Sequence, residues 1–261
     1  LGASLGNISG GTIPNSEITP FEKNETEFGM DLRLFDNRFS IDATYYDNET
    51  LGDIVGVSAS ATSGFGSALA NLGNISNSGI ELLVKGTVMQ SDDFAWEASF
   101  NYTNNTSKVV ATNDTGGNIS MDEPRSRNIR VTHIVGEKYG ALYGSSFVRD
   151  ASGSIIHEMV NGIPIPQVGA RKILGFGVAP TQLGFGSSFR YKDFNASVLF
   201  EGKSGGQIYS GSNAYLKRNG HHNITVPAGG REGGFIPTGV MADGSTITTS
   251  IPAAQQEDYW R

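Results

Sequence analysis

The sequence predicts an all-β protein, part of a large antiparallel transmembrane β-barrel, contributing about six strands as three hairpins with long extracellular loops. Three observations carry this. Apolar and polar residues alternate with period two in three paired segments. A short polar turn closes each pair. The segments between the pairs are long and rich in Gly, Ser, Asn, Thr and Pro.

The first hairpin, about residues 26–46, contains "MDLRLFDNRFSIDATYY". A two-residue turn at Asp36-Asn37 sets Phe35 against Arg38 and gives the pairs Leu34/Phe39, Leu32/Ile41, Met30/Ala43 and Phe28/Tyr45 on one face. The other face holds Arg33/Ser40, Asp31/Asp42, Gly29/Thr44 and Glu27/Tyr46. In the second hairpin, about 79–104, Ile80, Leu82, Val84 and Val88 alternate with Glu81, Lys85 and Thr87. Phe94, Trp96, Ala98, Phe100 and Tyr102 then alternate with Glu97, Ser99 and Asn101. Closing it at Gln90-Ser91-Asp92 pairs Val88 with Phe94 and Leu82 with Phe100, and sets Lys85 opposite Glu97 as a favourable charge pair. The third hairpin, about 184–203, turns at Lys192-Asp193. Tyr191/Phe194, Phe189/Ala196, Ser187/Val198 and Phe185/Phe200 share one face; Arg190/Asn195, Ser188/Ser197 and Gly184/Glu201 share the other.

Such hairpins suit a soluble sandwich, with the apolar side in a core. They suit a membrane barrel equally well, with the apolar side on lipid and the polar side on a wet lumen. The connections favour the barrel. They span about 48–78, 105–183 and 204–261, against turns of two or three residues. Connections that long are unusual in a compact soluble domain and usual on one side of an outer-membrane barrel. Aromatic residues gather where two membrane interfaces would lie: Phe35, Phe39, Phe94, Trp96, Tyr191 and Phe194 near the turns, and Tyr45, Tyr46 and Tyr102 at the far ends.

Composition removes other classes. Hydrophobic residues make up 38% of 261 and form no long apolar run, so a helical span is not expected. A net charge of -7 argues against nucleic acid as a partner. With no Cys there are no disulfides, no thiol chemistry and no Cys-ligated zinc. The chain does not begin with Met and shows no signal peptide, which reads as an internal piece or a processed product.

Against this background "NSEITPFEKNETEFGMDLRLFDNRFSIDATYYDNETLGDI" resembles the barrel of SusC/RagA-type TonB-linked outer-membrane proteins. The resemblance rests on Thr19-Pro20, Glu27-Phe28-Gly29, Asn37-Arg38, Tyr45-Tyr46 and Thr50 to Ile54. It continues through Gly64, Asn71-Leu72-Gly73, Asn77 and Gly79-Ile80-Glu81, then "DFAWEASFNYTNNTSKV", "LGFGVAPTQLGFGSSFRYKDF" and "GGFIPTGVMADGSTITTSIPAAQQEDYW", in family order over nearly the whole chain. The sequence departs from the family at Pro20-Phe21-Glu22, where Pro-Glu is more common. It also lacks the family's amino-terminal plug and most of its 22 strands, so residues 1–261 read as a partial barrel. The resemblance implies TonB-energised import across a Gram-negative outer membrane. It further implies a glycan or oligopeptide substrate, a SusD-like lipoprotein partner, and a TonB complex engaged through the plug. The alternative is a soluble or surface-exposed β-rich binding module without transport activity.

No residue is expected to be catalytic, and no cofactor or metal is expected. His221-His222 lack further ligands at metal spacing and read as loop surface, as do His133 and His157. "EGKSGG", residues 201–206, ends like a phosphate loop, but Ser197 stands where the leading Gly belongs, so it reads as a strand entering a glycine loop. Asp31 facing Asp42, with Arg33 beside them, reads as a charged wall rather than an acid–base pair. Asn-x-Ser/Thr triplets at Asn7, Asn24, Asn48, Asn74, Asn104, Asn113, Asn118, Asn195 and Asn223 read as composition in a bacterial chain. In the barrel reading Glu27, Asp31, Arg33, Asp42, Glu81, Lys85, Glu97, Asn101, Arg190 and Glu201 face the lumen.

Overall fold

The alternating segments pair in chain order. In the computed structural model, which describes residues 11–59, 61–71, 73–112, 117–121, 129–228 and 230–260, six strands form one antiparallel sheet. They are β1 (Glu22–Leu34), β2 (Phe39–Leu51), β3 (Asn74–Gln90), β4 (Phe94–Ala111), β5 (Thr181–Tyr191) and β6 (Phe194–Ser204). Each lies beside its chain neighbour, so the sheet is an up-and-down meander. All three short turns therefore fall at one end, and the long connections at the other.

The β1–β2 register follows from its turn. Arg38 N–H donates to Phe35 O at 3.1 Å across Asp36 and Asn37, whose φ values are 54° and 65°. Positive φ at both central residues is the primed-turn geometry that matches strand twist, and Asp and Asn tolerate it best after Gly. Leu34 then pairs with Phe39, Leu32 with Ile41 and Phe28 with Tyr45. The β5–β6 turn at Lys192-Asp193 has positive φ at Lys192 (51°), and there Tyr191 pairs with Phe194 and Phe185 with Phe200.

The β3–β4 register differs from the expected one. Leu82 pairs with Tyr102, Val84 with Phe100, Lys85 with Ser99 and Thr87 with Glu97. The turn itself lies further along, with Ser91 N–H donating to Phe94 O at 2.7 Å. A bulge between Thr87 and Met89 leaves Val88 out of the ladder and absorbs one residue. Arg38 closes this gap, its guanidinium donating to the carbonyls of Thr87 at 3.4 Å and Val88 at 3.2 Å. Away from the turn the shift is of two residues, so every side chain keeps its expected face. The expected opposition of Lys85 and Glu97 is lost.

The strands also run beyond the expected hairpins, into segments that had read as loop. There a hydrogen-bonded ladder crosses four strands. Asn48 donates to Glu25 at 3.5 Å, Asn77 donates to Asn48 at 3.3 Å, Ser107 donates to Asn77, and Asn105 donates to Ser107 at 3.0 Å. Asn48, one of the Asn-x-Thr sites, is buried within it. Asn7 and Asn113 lie outside the described residues.

Contacts divide the chain into two compact units. The first holds the six-stranded sheet and a small sheet of Thr12–Ile13, Ser67–Asn71 and Ile54–Ser58. Asn71 anchors the chain there, donating to Thr19 O and Gly52 O, both at 2.7 Å. Its motif neighbour Leu72 lies outside the described residues. In the same unit His133 pairs with Ile119 and packs 4.5 Å from the Tyr139 ring.

The second unit contains Leu142–Leu174 and the residues from Ile208 onward. Ile156–Val160 and Ile163–Pro166 form a hairpin beside Val240–Met241. Helices α1 (Gly211–Arg218) and α2 (Gln256–Trp260) also belong to this unit. Ser210 caps α1, its hydroxyl accepting from Asn213 N–H. His157 is fully buried here. Its ring stacks on Tyr259 at 6.1 Å, Nδ1 lies 3.1 Å from Ile155 O and Nε2 lies 3.4 Å from the Tyr259 hydroxyl. His133 and His157 are thus interior residues, a correction to their reading as loop surface. No local pattern announces it, because the burying residues are distant in sequence.

Two glycines of the sheet generate a first prediction. A Cβ on Gly86 would collide with the Phe39 ring, whereas one on Gly79 would meet the Tyr46 hydroxyl and also the Asn104 carbonyl at 2.6 Å. Gly86→Ala and Gly79→Ala should each destabilise the protein by about 1–3 kcal/mol in thermal unfolding. Adding Phe39→Ala should relieve the first, since only a side chain is in the way. Adding Tyr46→Ala should leave the second unrelieved, since backbone remains.

A second prediction concerns pH. Burial holds the His157 imidazole below its ordinary pKa of 6.5, and His133 shifts the same way for the same reason. The unfolded chain therefore takes up these protons first. The stability tied to each neutral ring is full above about pH 6.5 and declines as pH falls through that value toward the lowered folded one. Hydrogen-exchange protection of Ile156–Val160, corrected for intrinsic rates, should drop between pH 7.5 and 5.5. In His157→Gln that drop should vanish for this hairpin while persisting at Ile129–His133.

Candidate functional site: a sheet with two chemical faces

Following the register across all six strands sorts the side chains into rows. One row reads Leu32, Ile41, Val84, Phe100, Phe185 and Phe200. Its neighbours hold Met30, Ala43, Leu82, Tyr102 and Leu183, then Leu34, Phe39, Ala98 and Val198. This face is an apolar band. It is exposed to solvent in the chain: Phe28 at 69%, Phe200 at 62% and Leu32 at 39%. A soluble module with this face as its core would bury these side chains under a second layer, and none covers them among the described residues. On β4 the band runs from Phe94 to Tyr102, about 27 Å along the strand, or about 20 Å of height at barrel tilt.

The short-turn end of the band is aromatic. Trp96 stacks on Phe189 at 5.6 Å and its indole N–H donates to Ser187 Oγ at 2.9 Å, satisfying the buried Ser187 hydroxyl on the apolar face. Phe35 is 74% exposed and Phe194 78%. Tyr46 departs from its expected place among the interfacial aromatics. It sits on the polar face over Gly79, which has no side chain to displace it, and its hydroxyl donates to Asn105 at 3.0 Å. Its even position in β2, shared with Asp42 and Asn48, is what sets it on this face opposite Glu27, as the alternation of the first hairpin has it.

The opposite face brings together all ten side chains singled out from the sequence. Asp31, Asp42, Asn101 and Glu201 fall in one row with Leu83 and Gly184 between them. Arg33 and Lys85 share the next row with Ser40, Ser99 and Gly186. Glu97 lies one row closer to the turns and Arg190 two rows closer, while Glu81 and Glu27 lie toward the long connections. Ser40, Ser99 and Ser188, which alternation places on this face, and Arg38 from the turn complete its turn-end part and line a recess of about 440 Å³. Arg33 lies 3.5 Å from Asp31, and Lys23 lies 2.7 Å from Glu25. Both pairs are exposed.

His222 caps a short helical turn, Nδ1 accepting from Ile224 N–H at 3.1 Å. No group of three metal-ligating side chains occurs among the described residues. The stretch 201–206 is the end of β6 followed by Gly205 at φ 87°, a strand entering a glycine loop.

The geometry is thus a sheet wall, apolar on one side and charged on the other, with short turns at one end. Comparison with known proteins agrees. The family profile described as "TonB dependent receptor-like, beta-barrel" matches residues 2–226. The chain is 26% identical over 205 residues to TonB-dependent receptor P3 of Formosa agariphila, a match covering 70% of this chain and 20% of that protein. It is 24% identical over 205 residues to TonB-dependent receptor SusC of Bacteroides thetaiotaomicron, covering 74% of this chain and 20% of that protein. The fold superposes on a chain of the RagAB peptide transporter structure with a TM-score of 0.65 at 19% identity, covering 82% of this chain and 24% of the other. The chain therefore spans about a fifth of the length of the curated relatives it matches. An antiparallel sheet with opposed faces, short turns at one end and this family match together establish that the chain belongs to the β-barrel family of TonB-dependent receptors.

Proposed function

We propose that this chain forms part of the wall of a TonB-dependent importer in a Gram-negative outer membrane. In this reading residues 1–261 are one stretch of the barrel, with the hairpins near 26–46, 79–104 and 184–203 crossing the bilayer. The apolar face meets lipid, and the polar face, with Glu27, Asp31, Arg33, Asp42, Glu81, Lys85, Glu97, Asn101, Arg190 and Glu201, lines the lumen. The turns at Asp36-Asn37, Asp92-Asp93 and Lys192-Asp193 are periplasmic and the long connections extracellular, following the asymmetry of outer-membrane barrels. The imported solute is a glycan or an oligopeptide, captured with a SusD-like lipoprotein and moved at the expense of the TonB complex. The relatives named SusC and the RagAB peptide transporter support this assignment. The wall residues act by shape and charge: they exclude lipid, hydrate the passage and fix the strands that carry the extracellular connections.

The observation that carries the reading is the exposed apolar band that runs across all six strands at one height. Water penalises such a surface by about 25 cal/mol per Å² of apolar area, and hydrocarbon does not. Cysteine substitution tests it directly, because the described segment contains none of its own. In outer membranes, a membrane-impermeant maleimide should label the receptor with Cys at Asp42 or Lys85 and leave Cys at Ile41 or Val84 unlabelled. A hydrophobic maleimide should show the reverse. Labelling of all four positions by the impermeant reagent would return the chain to the soluble-module reading.

The same assignment predicts a difference between adjacent residues. Leu32→Arg should destabilise the barrel by about 2–4 kcal/mol where the residue sits near the bilayer midplane. Asp31→Asn, one position away on the polar face, should cost much less. Heat-modifiable gel mobility of the folded barrel would read both.

A further inference from the structure

The polar face is not uniformly charged. Toward the short turns it carries Arg33, Arg38, Lys85 and Arg190 with Glu97 as the single acid; toward the long connections it carries five of the acids. The densest part of the basic zone surrounds Ser40. Ser40 pairs with Arg33 on one side and with Lys85 on the other, so the two cationic residues lie about 10 Å apart at the backbone with only a hydroxymethyl group between them. Arg38 lies one row closer to the turn, its guanidinium held by the Thr87 and Val88 carbonyls of the bulge. A recess of about 290 Å³ opens at this point, lined by Arg33, Ser40 and Lys85 together with Asp31 and Asp42.

The counter-charges do not balance. Asp31 takes Arg33, at 3.5 Å. Lys85 has no carboxylate partner among the described residues, since Ser99 lies opposite it and Glu97 lies opposite Thr87. Arg38 keeps its full charge, since its partners are neutral carbonyls. Arg38, Ser40 and Lys85 line one recess of about 440 Å³ in which Glu97 is the one carboxylate, so cationic donors outnumber acids there. That arrangement accepts a carboxylate.

We infer that Lys85 and Arg38, with Ser40 between them and Arg33 beside them, form a seat for a carboxylate on the polar face near the short-turn end. The carboxylate is carried by an acidic oligomer in transit or by an Asp or Glu side chain of polypeptide packed against the wall. This rests on the reading of the polar face as the lumen. The position of the turn at Asp92-Asp93 is what creates the seat, by setting Ser99 rather than Glu97 opposite Lys85.

The test uses the purified receptor that carries this segment, in detergent, with Lys85→Gln and Lys85→Arg. Its probes are a short polygalacturonate and a neutral glucan of equal length in titration calorimetry, together with thermal unfolding. If the seat takes a transported carboxylate, Lys85→Gln should weaken the acidic oligomer about tenfold at low salt and leave the neutral one unchanged. If it holds a polypeptide carboxylate, Lys85→Gln should lower the melting temperature by several degrees, less so at high salt, with no change in oligomer affinity. Lys85→Arg should restore either effect. Wild-type behaviour of Lys85→Gln in both measurements overturns the seat. The cysteine labelling above fails separately: a lipid-facing position 85 would remove the lumen reading itself.

Discussion

One constraint governs this structure: the hydrogen-bond register that locks six strands into a single ladder. Strand side chains alternate with period two, so a slip of one residue at any junction would exchange the faces of every strand beyond it. Here that would put Asp42 and Lys85 on the apolar side. Three devices hold the register. The primed turn at Asp36-Asn37 fixes β1 against β2. Phe39 over Gly86 and Tyr46 over Gly79 lock β2 against β3 on opposite faces, as rings fill the space of missing side chains. Arg38 reaches from the first turn to the carbonyls freed by the Val88 bulge, so the irregularity near the short turns is itself bonded.

The same devices explain what the sequence made legible. The first and third hairpins could be registered residue by residue because two-residue turns leave no freedom in the pairing. The second could not. Its turn lies one residue beyond the expected position and a bulge absorbs another, and neither Gly nor Pro marks Val88 as the bulged residue. The faces were still correct, since the displacement along most of the hairpin is even. The ten charged and amide residues therefore share one face, as alternation required, even though the specific opposition of Lys85 and Glu97 failed.

Strand length and the interior of the connections were less legible, for a different reason. Asn48, Asn77, Asn105 and Ser107 have low strand propensity and sit in Asn/Ser-rich stretches that ordinarily signal loops. They extend the strands because their side chains bond to one another across the sheet, an interaction that exists only once the register is set. His157 is a similar case. Its burial depends on Tyr259, about a hundred residues away, and the aromatic cluster in which Phe235 packs at 5.1 Å from Tyr259 and 5.7 Å from Trp260. Local periodicity carries no trace of such contacts.

The two faces also bear on the edges of the sheet. β1 and β6 each pair on one side only, and both faces of both strands are exposed along their length. In water such edges could be hydrated. In hydrocarbon an unpaired row of N–H and C=O groups costs several kcal/mol per group, so a sheet that turns an apolar band to lipid must continue on both sides until it closes. The apolar band and the open edges are therefore compatible only if other strands of the barrel pair with β1 and β6. Relatives about five times as long, matched in the barrel region, have the length to supply them. With the band on lipid, as proposed, the wall has to be a sector of a closed barrel, and closure would turn the charged face from an exposed surface into the lining of a passage.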